Sequence, residues 1–122
     1  MYCCLWATNV GKGSGYGGRG IDIDGTGHVL AAGEILTYSG TSDIIVAKLS
    51  SKGVVIRTIT AGSKFDDITF GLKADGVGNF YTAGFVFYDR AFKVNSGTVT
   101  FDKKTYPLKG RAHMYLWKRP AF

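Results

Sequence analysis

Nine acidic residues and two histidines are the groups that could carry acid–base or metal chemistry. Asp22, Asp43, Asp66, Asp67, His28 and His113 are the available members, and they are scattered. No nucleophile–base–orienter set and no catalytic carboxylate pair can be read from their spacing. Asp66 and Asp67 are adjacent, so with loop carbonyls they could hold Ca²⁺; a solvated turn pair is the plainer reading. His28 follows a turn and reads as a surface residue. Cys3 and Cys4 are neighbours, so they cannot staple distant segments, and a disulfide between them would be strained. They read as two small apolar strand residues, with no Cys/His metal spacing around them. Gly13, Gly15 and Gly18 match Gly-x-Gly-x-x-Gly. A dinucleotide site needs a helix next, to hold the pyrophosphate at its N-terminus, and a short strand follows instead. No catalytic residue, metal or cofactor is expected.

The elements that would position these residues are strands. The chain has 122 residues, 18 glycines and only two prolines. It lacks long Ala/Leu/Glu/Lys stretches at helical spacing, which favours short strands joined by glycine turns. Its apolar and aromatic content excludes disorder. The net charge of +6 is uneven. Residues 1–89 hold seven basic and eight acidic side chains; residues 90–122 hold eight basic ones and Asp102 alone. Those basic residues are mostly single, which argues against a nucleic-acid footprint and for a solvated strand face. No signal peptide is visible, and no apolar run reaches membrane-spanning length.

Residues 20–33 and 71–84 are two copies of one hairpin, at an offset of 51. Six of the fourteen paired positions are identical: Gly20/Gly71, Asp24/Asp75, Gly25/Gly76, Gly27/Gly78, Ala32/Ala83 and Gly33/Gly84. The shared Asp-Gly-x-Gly is a turn requirement: Asp24 and Asp75 accept from the following backbone, while Gly25, Gly27, Gly76 and Gly78 tolerate positive φ. Residues 41–50 are apolar on both sides, as suits a strand buried on both faces. Ser51-Lys52-Gly53 turns the chain back into residues 54–60. Residues 61–67 stand where the first glycine loop stood. Residues 40–48 recur as 110–118 at an offset of 70, so the second unit carries a 19-residue insertion. That insertion, between Phe85 and Gly110, could form an extra hairpin, because Thr98-Val99-Thr100-Phe101 is strand-like.

Repeats of this length, each with about four short strands, are the mark of a β-propeller. The pattern Ile21-x-x-Asp24-x-x-Gly27-His28-x-Leu30-x-Ala32-Gly33, then Gly40-x-x-Asp43-Ile44-x-Val46-Ala47-Lys48-Leu49-x-x-x-Gly53, resembles the bacterial β-propeller repeat called the SBBP repeat. Trp6-Ala7-Thr8 resembles the last strand of a preceding blade. Asp75, Gly78, Asn79, Tyr81, Gly84 and Lys118 keep the register in the second unit. Departures are His28 in place of Asn, His113 in place of Asp43, and Arg57 opposite Trp6. The resemblance implies a propeller domain of bacterial, often secreted or surface-associated proteins, with no transferable catalytic set.

The expectation is therefore an all-β chain of propeller blades, each an antiparallel four-stranded sheet. Residues 1–122 would form one partial propeller domain of about two blades. Residues 1–10 supply the last strand of a preceding blade, 11–60 a first repeat, and 61–122 a second repeat with an insertion near 86–109. A closed ring takes four to eight blades, so the expectation is a fragment of a longer propeller or a ring of identical copies. The expected role is a non-catalytic binding or interaction scaffold. Its partners would be further blades, identical copies, or a protein or carbohydrate ligand. Tyr16, Arg19, Phe65, Asp66 and Asp67, in the loops before each repeat, are the candidate ligand contacts. The alternatives are a propeller-type hydrolase or lyase using loop acidic residues, and a purely structural surface protein.

Overall fold

The computed structural model describes residues 4–10, 16–37, 41–88, 96–109 and 113–120. Among them are nine strands and no helix: β1 (Tyr16–Ile23), β2 (Val29–Leu36), β3 (Ser42–Leu49), β4 (Val55–Ser63), β5 (Asp66–Ala74), β6 (Asn79–Tyr88), β7 (Ser96–Phe101), β8 (Lys104–Lys109) and β9 (His113–Pro120). Every pairing is antiparallel. One sheet runs β1-β2-β3-β4-β7-β8 and the other β5-β6-β9.

The sequence repeat is a repeat of hydrogen bonds. In the first hairpin Asp24 N donates to His28 O at 2.9 Å. Asp24 Oδ1 accepts from Thr26 N at 2.8 Å and His28 N at 3.0 Å. In the second, Asp75 N donates to Asn79 O at 3.1 Å, and Asp75 Oδ1 accepts from Val77 N at 2.9 Å and Asn79 N at 3.1 Å. Gly27 and Gly78 close the two turns at φ of 88° and 100°, a region costly for any residue with a Cβ. Both inner strands bulge at the same place, at Arg19 between Gly18 and Gly20 and at Phe70 between Thr69 and Gly71. Gly33 and Gly84 then let β2 and β6 cross close to the carbonyls of Gly17 and Ile68, where a Cβ would not fit.

The core lies between the sheets. Leu30, Ala32, Ile44 and Val46 from the first meet Leu72, Phe80, Tyr115 and Trp117 from the second. Burying a side chain such as Leu30, Ile44 or Phe80 contributes about 1.5–3 kcal/mol each. As expected of residues 41–50, β3 is buried on both faces, with Ala47 and Leu49 opposite Ile44 and Val46. The insertion does form a hairpin, β7–β8, but it docks on the other unit. Gly62 pairs with Thr100 and Ser63 with Val99, so β7 extends the sheet through the end of β4.

Two local expectations change. The segment 61–67 is not a loop matching the glycine run: β4 continues to Ser63 and β5 starts at Asp66, leaving Lys64 and Phe65 between them. Residues 4–10 make no ladder. They lie across the outer face of the first sheet, with Val10 on Val29, Ala47 and Leu49.

Candidate functional site

The five candidate contacts divide between the two sheets. Arg19 is the extra residue of the β1 bulge, so its side chain leaves the ladder and reaches Glu34 on β2. Its Nε donates to both Oε1 and Oε2 at 3.0 Å, against a carboxylate that is itself buried. The Tyr16 backbone starts β1 opposite Ile35; its side chain lies outside the described residues. Phe65, Asp66 and Asp67 come together at the β4–β5 junction. The Phe65 ring stands edge-on to Phe87 with centroids 5.1 Å apart.

Asp66 and Asp67 are not solvated turn residues; both are buried. Asp66 Oδ1 accepts from Ser42 N at 3.1 Å. Asp67 Oδ2 accepts from Ser63 N at 2.6 Å, and its Oδ1 from Ser63 Oγ and Phe87 N, each at 2.9 Å. The carboxyl thus ties β4 to the end of β6, where Phe87 sits at φ 61°. Asp43, from β3, is the neighbour that spacing could not reveal. A Cβ on Gly62 would come within 2.6 Å of Asp67 Oδ2 and collide with Asp43 Oδ1, so a glycine is needed where the two carboxyls meet. As two carboxylates the pair has only acceptors, and Asp43 Oδ1 is left buried without a donor. One shared proton supplies it. Burial pushes Asp67 up to about 7, against the pull of the Ser63 and Phe87 hydrogen bonds, and burial also raises Asp43. A raised carboxyl is what acid–base chemistry uses. Here both Asp67 oxygens are already taken and the group is closed to solvent, which is the geometry of a latch.

The histidines stay apart. His28 Nδ1 lies 2.7 Å from Thr26 Oγ1 and 3.5 Å from Asp24 Oδ2, inside the first turn. His113 begins β9 beside an apolar cleft. Among the described residues no three His, Cys, Asp or Glu side chains form a metal-ligand set. Among the same residues no helix is long and apolar enough to cross a membrane.

That apolar cleft, of about 990 Å³, is the outer face of β5-β6-β9, and Phe70, Tyr81, Phe85, Met114 and Leu116 line it. Met114 and Leu116 are 82% and 79% exposed. Their repeat counterparts at the offset of 70, Ile44 and Val46, are fully buried against β5 and its sheet. The opposite face of the molecule shows the reverse: Ile21 is 68% exposed, while its counterpart Leu72 is 5% exposed. Sequence reasoning expected further blades or identical copies as neighbours but did not name these residues. The signal was available, since β9 reads Met-Tyr-Leu-Trp where β3 reads Ile-Ile-Val-Ala.

No protein-family model matches the chain, and no curated protein matches it.

Proposed function

We propose that this chain is a non-catalytic β-propeller repeat module of the SBBP kind, an interaction scaffold whose working surface is the open face of β5-β6-β9. Each unit is a blade: β1 to β4 form the first, and β5, β6 and β9 form three strands of the second. One observation carries the reading. Tyr81, Met114 and Leu116, open on the outer face of the second unit, correspond at the repeat offsets to Leu30, Ile44 and Val46, which the first unit buries against its neighbour. An exposed patch of this kind marks an interaction site on a soluble protein. Tyr16, Arg19 and Phe65 frame the loop ends, where a protein or carbohydrate ligand would meet the scaffold. The resemblance puts the module in bacterial secreted or surface proteins.

The test uses Leu116→Glu, with circular dichroism as the check on folding. The wild type either self-associates or, as a monomer, enhances the fluorescence of an apolar dye, and the variant loses both. A wild-type monomer that binds no dye contradicts the reading. The alternative, a propeller-type hydrolase or lyase, leans on the raised pKa of Asp67. Turnover of any substrate in a panel, abolished by Asp67→Asn in a folded chain, would favour it.

A further inference from the structure

Residues 4–10 correspond to residues 55–61 at the offset of 51, which sets Trp6 on Arg57, Thr8 on Ile59 and Val10 on Ala61. The packing follows the same map. Ala61, near the end of β4, lies in the cluster with Phe80 and Trp117 of the second unit. Val10 lies on Val29 and Ala47, the counterparts of Phe80 and Trp117. So residues 4–10 rest on the first unit as β4 rests on the second. What differs is the ladder. β4 is hydrogen-bonded to β3, whereas residues 4–10 are held by side chains, with Trp6 Nε1 donating to Ser51 O at 3.0 Å and Thr8 Oγ1 to Gly53 O. Their backbone is in no ladder among the described residues. The complement is β9. It pairs with β6 on one side, and among the described residues its other edge has no strand, where β3 carries β4.

Gly71 points to the same missing neighbour. Its counterpart Gly20 must be glycine because a Cβ there would come within 2.6 Å of Leu72 N on β5. Gly71 is mid-strand, has no positive φ, and a Cβ on it would meet nothing within 4 Å. Gly71 flanks the β5 bulge, and a strand glycine marks either such a bulge or a place where another backbone approaches, as β5 approaches Gly20. Lys73 replaces Asp22, whose Oδ2 accepts from Ala74 N at 2.8 Å across the sheet interface. The counterpart of that N–H is Ile23 N. It already donates to its own Asp22 Oδ1 at 2.9 Å, so a lysine at position 73 leaves no donor stranded.

We infer that the occupant of the open face is a second copy of this chain, stacked head to tail. The face of β5-β6-β9 in one copy covers Ile21 and Ile23 on the outer face of the first unit in the next. Residues 4–10 of that next copy add to the free edge of β9 as its fourth strand. The register follows from Ile44↔Ala61, Val46↔Ile59 and Lys48↔Arg57 in β3–β4. It places Met114 opposite Val10, Leu116 opposite Thr8, and Lys118 opposite Trp6. The contact joins two different surfaces, so it gives no symmetric face-to-face dimer, and with the rotation between propeller blades its repetition closes a ring. At two units per chain, about two to four copies supply the usual number of blades. The inference rests on the propeller reading and names its partner.

Sedimentation velocity with two charged variants tests it. Leu116→Glu spoils one face and Ile21→Glu the other, and each alone is expected to run as a monomer. Mixed, they retain one intact contact and form a dimer that grows no further. An Ile21→Glu chain that still self-associates, or a mixture that stays monomeric, overturns the head-to-tail contact while leaving the open-face reading in place. A monomeric wild type that binds the apolar dye does the same, since its face then awaits another partner. A separate variant with Cys3 and Cys4 replaced by Ser reports on strand addition without relying on the charges. In it, Thr8→Cys and Leu116→Cys on the same chain are expected to form reducible links between copies. Absence of such links under oxidation overturns the register.

Discussion

The Asp43–Asp67 pair is the residue-scale feature with the clearest consequence. The folded state holds a proton on Asp67 up to about pH 7, whereas an unfolded aspartate releases it near 4. Between those values the native state binds more protons than the unfolded one, so stability falls as pH rises. The stabilising contribution is fully present below pH 4 and lost as pH passes through about 7. Asp22, Asp24 and Asp75 are shifted down by hydrogen bonds, so they act oppositely and only at lower pH. The unfolding free energy from urea titrations between pH 5 and 7 should rise on acidification, by at most about 1.4 kcal/mol per pH unit for one proton. Asp67→Asn keeps one acceptor, for Ser63 Oγ and Phe87 N, and offers Asp43 a donor at the cost of the Ser63 N bond, so it should flatten that slope. An unchanged slope in a folded variant assigns the titration elsewhere. Backbone strain is the other residue-scale lever. Gly78 has φ 100° and open space around it, so Gly78→Ala is expected to lose about 1–2 kcal/mol through the backbone alone in thermal unfolding.

At the scale of elements, the hairpins were legible because their turns demand particular residues. Asp24 and Asp75 must accept from the backbone, and Gly27 and Gly78 must turn left-handed, so identity at an offset of 51 reported geometry directly. The third strand recurred at its own offset of 70, and the insertion was located by arithmetic on the two offsets. The burial of Asp66 and Asp67 was not legible. Adjacent acidic residues after Gly-Ser-Lys-Phe look solvated, and only the approach of Ser42, Ser63 and Phe87 from three strands satisfies them. Nor did spacing show that β7–β8 would dock on β4, since that pairing spans only two residues. The β7–β8 turn places Asp102 and Lys103 at φ of 50° and 64°, the left-handed pair of a tight two-residue turn. Asp102 also accepts from Trp117 Nε1 at 3.0 Å and should be kept. Lys103→Gly removes the strain at one position and is expected to gain about 0.5–1 kcal/mol, read as a higher melting temperature. A loss would mean that Lys103 makes a compensating contact.

At the scale of the whole molecule, the core between the two sheets is built like one interface of a repeating stack. Leu30, Ile44 and Val46 give one side, and Leu72, Phe80 and Trp117 the other. The same two surfaces then reappear uncovered at opposite ends, as Met114 and Leu116 at one and Ile21 and Ile23 at the other. A monomer would hold both apolar surfaces in water, an arrangement soluble chains seldom tolerate. Sedimentation equilibrium of the wild type beside Leu116→Glu tests this most directly. The stacked arrangement predicts a mass of several chains for the wild type and of one chain for the variant, with matching circular dichroism. Equal masses for the two proteins would contradict it.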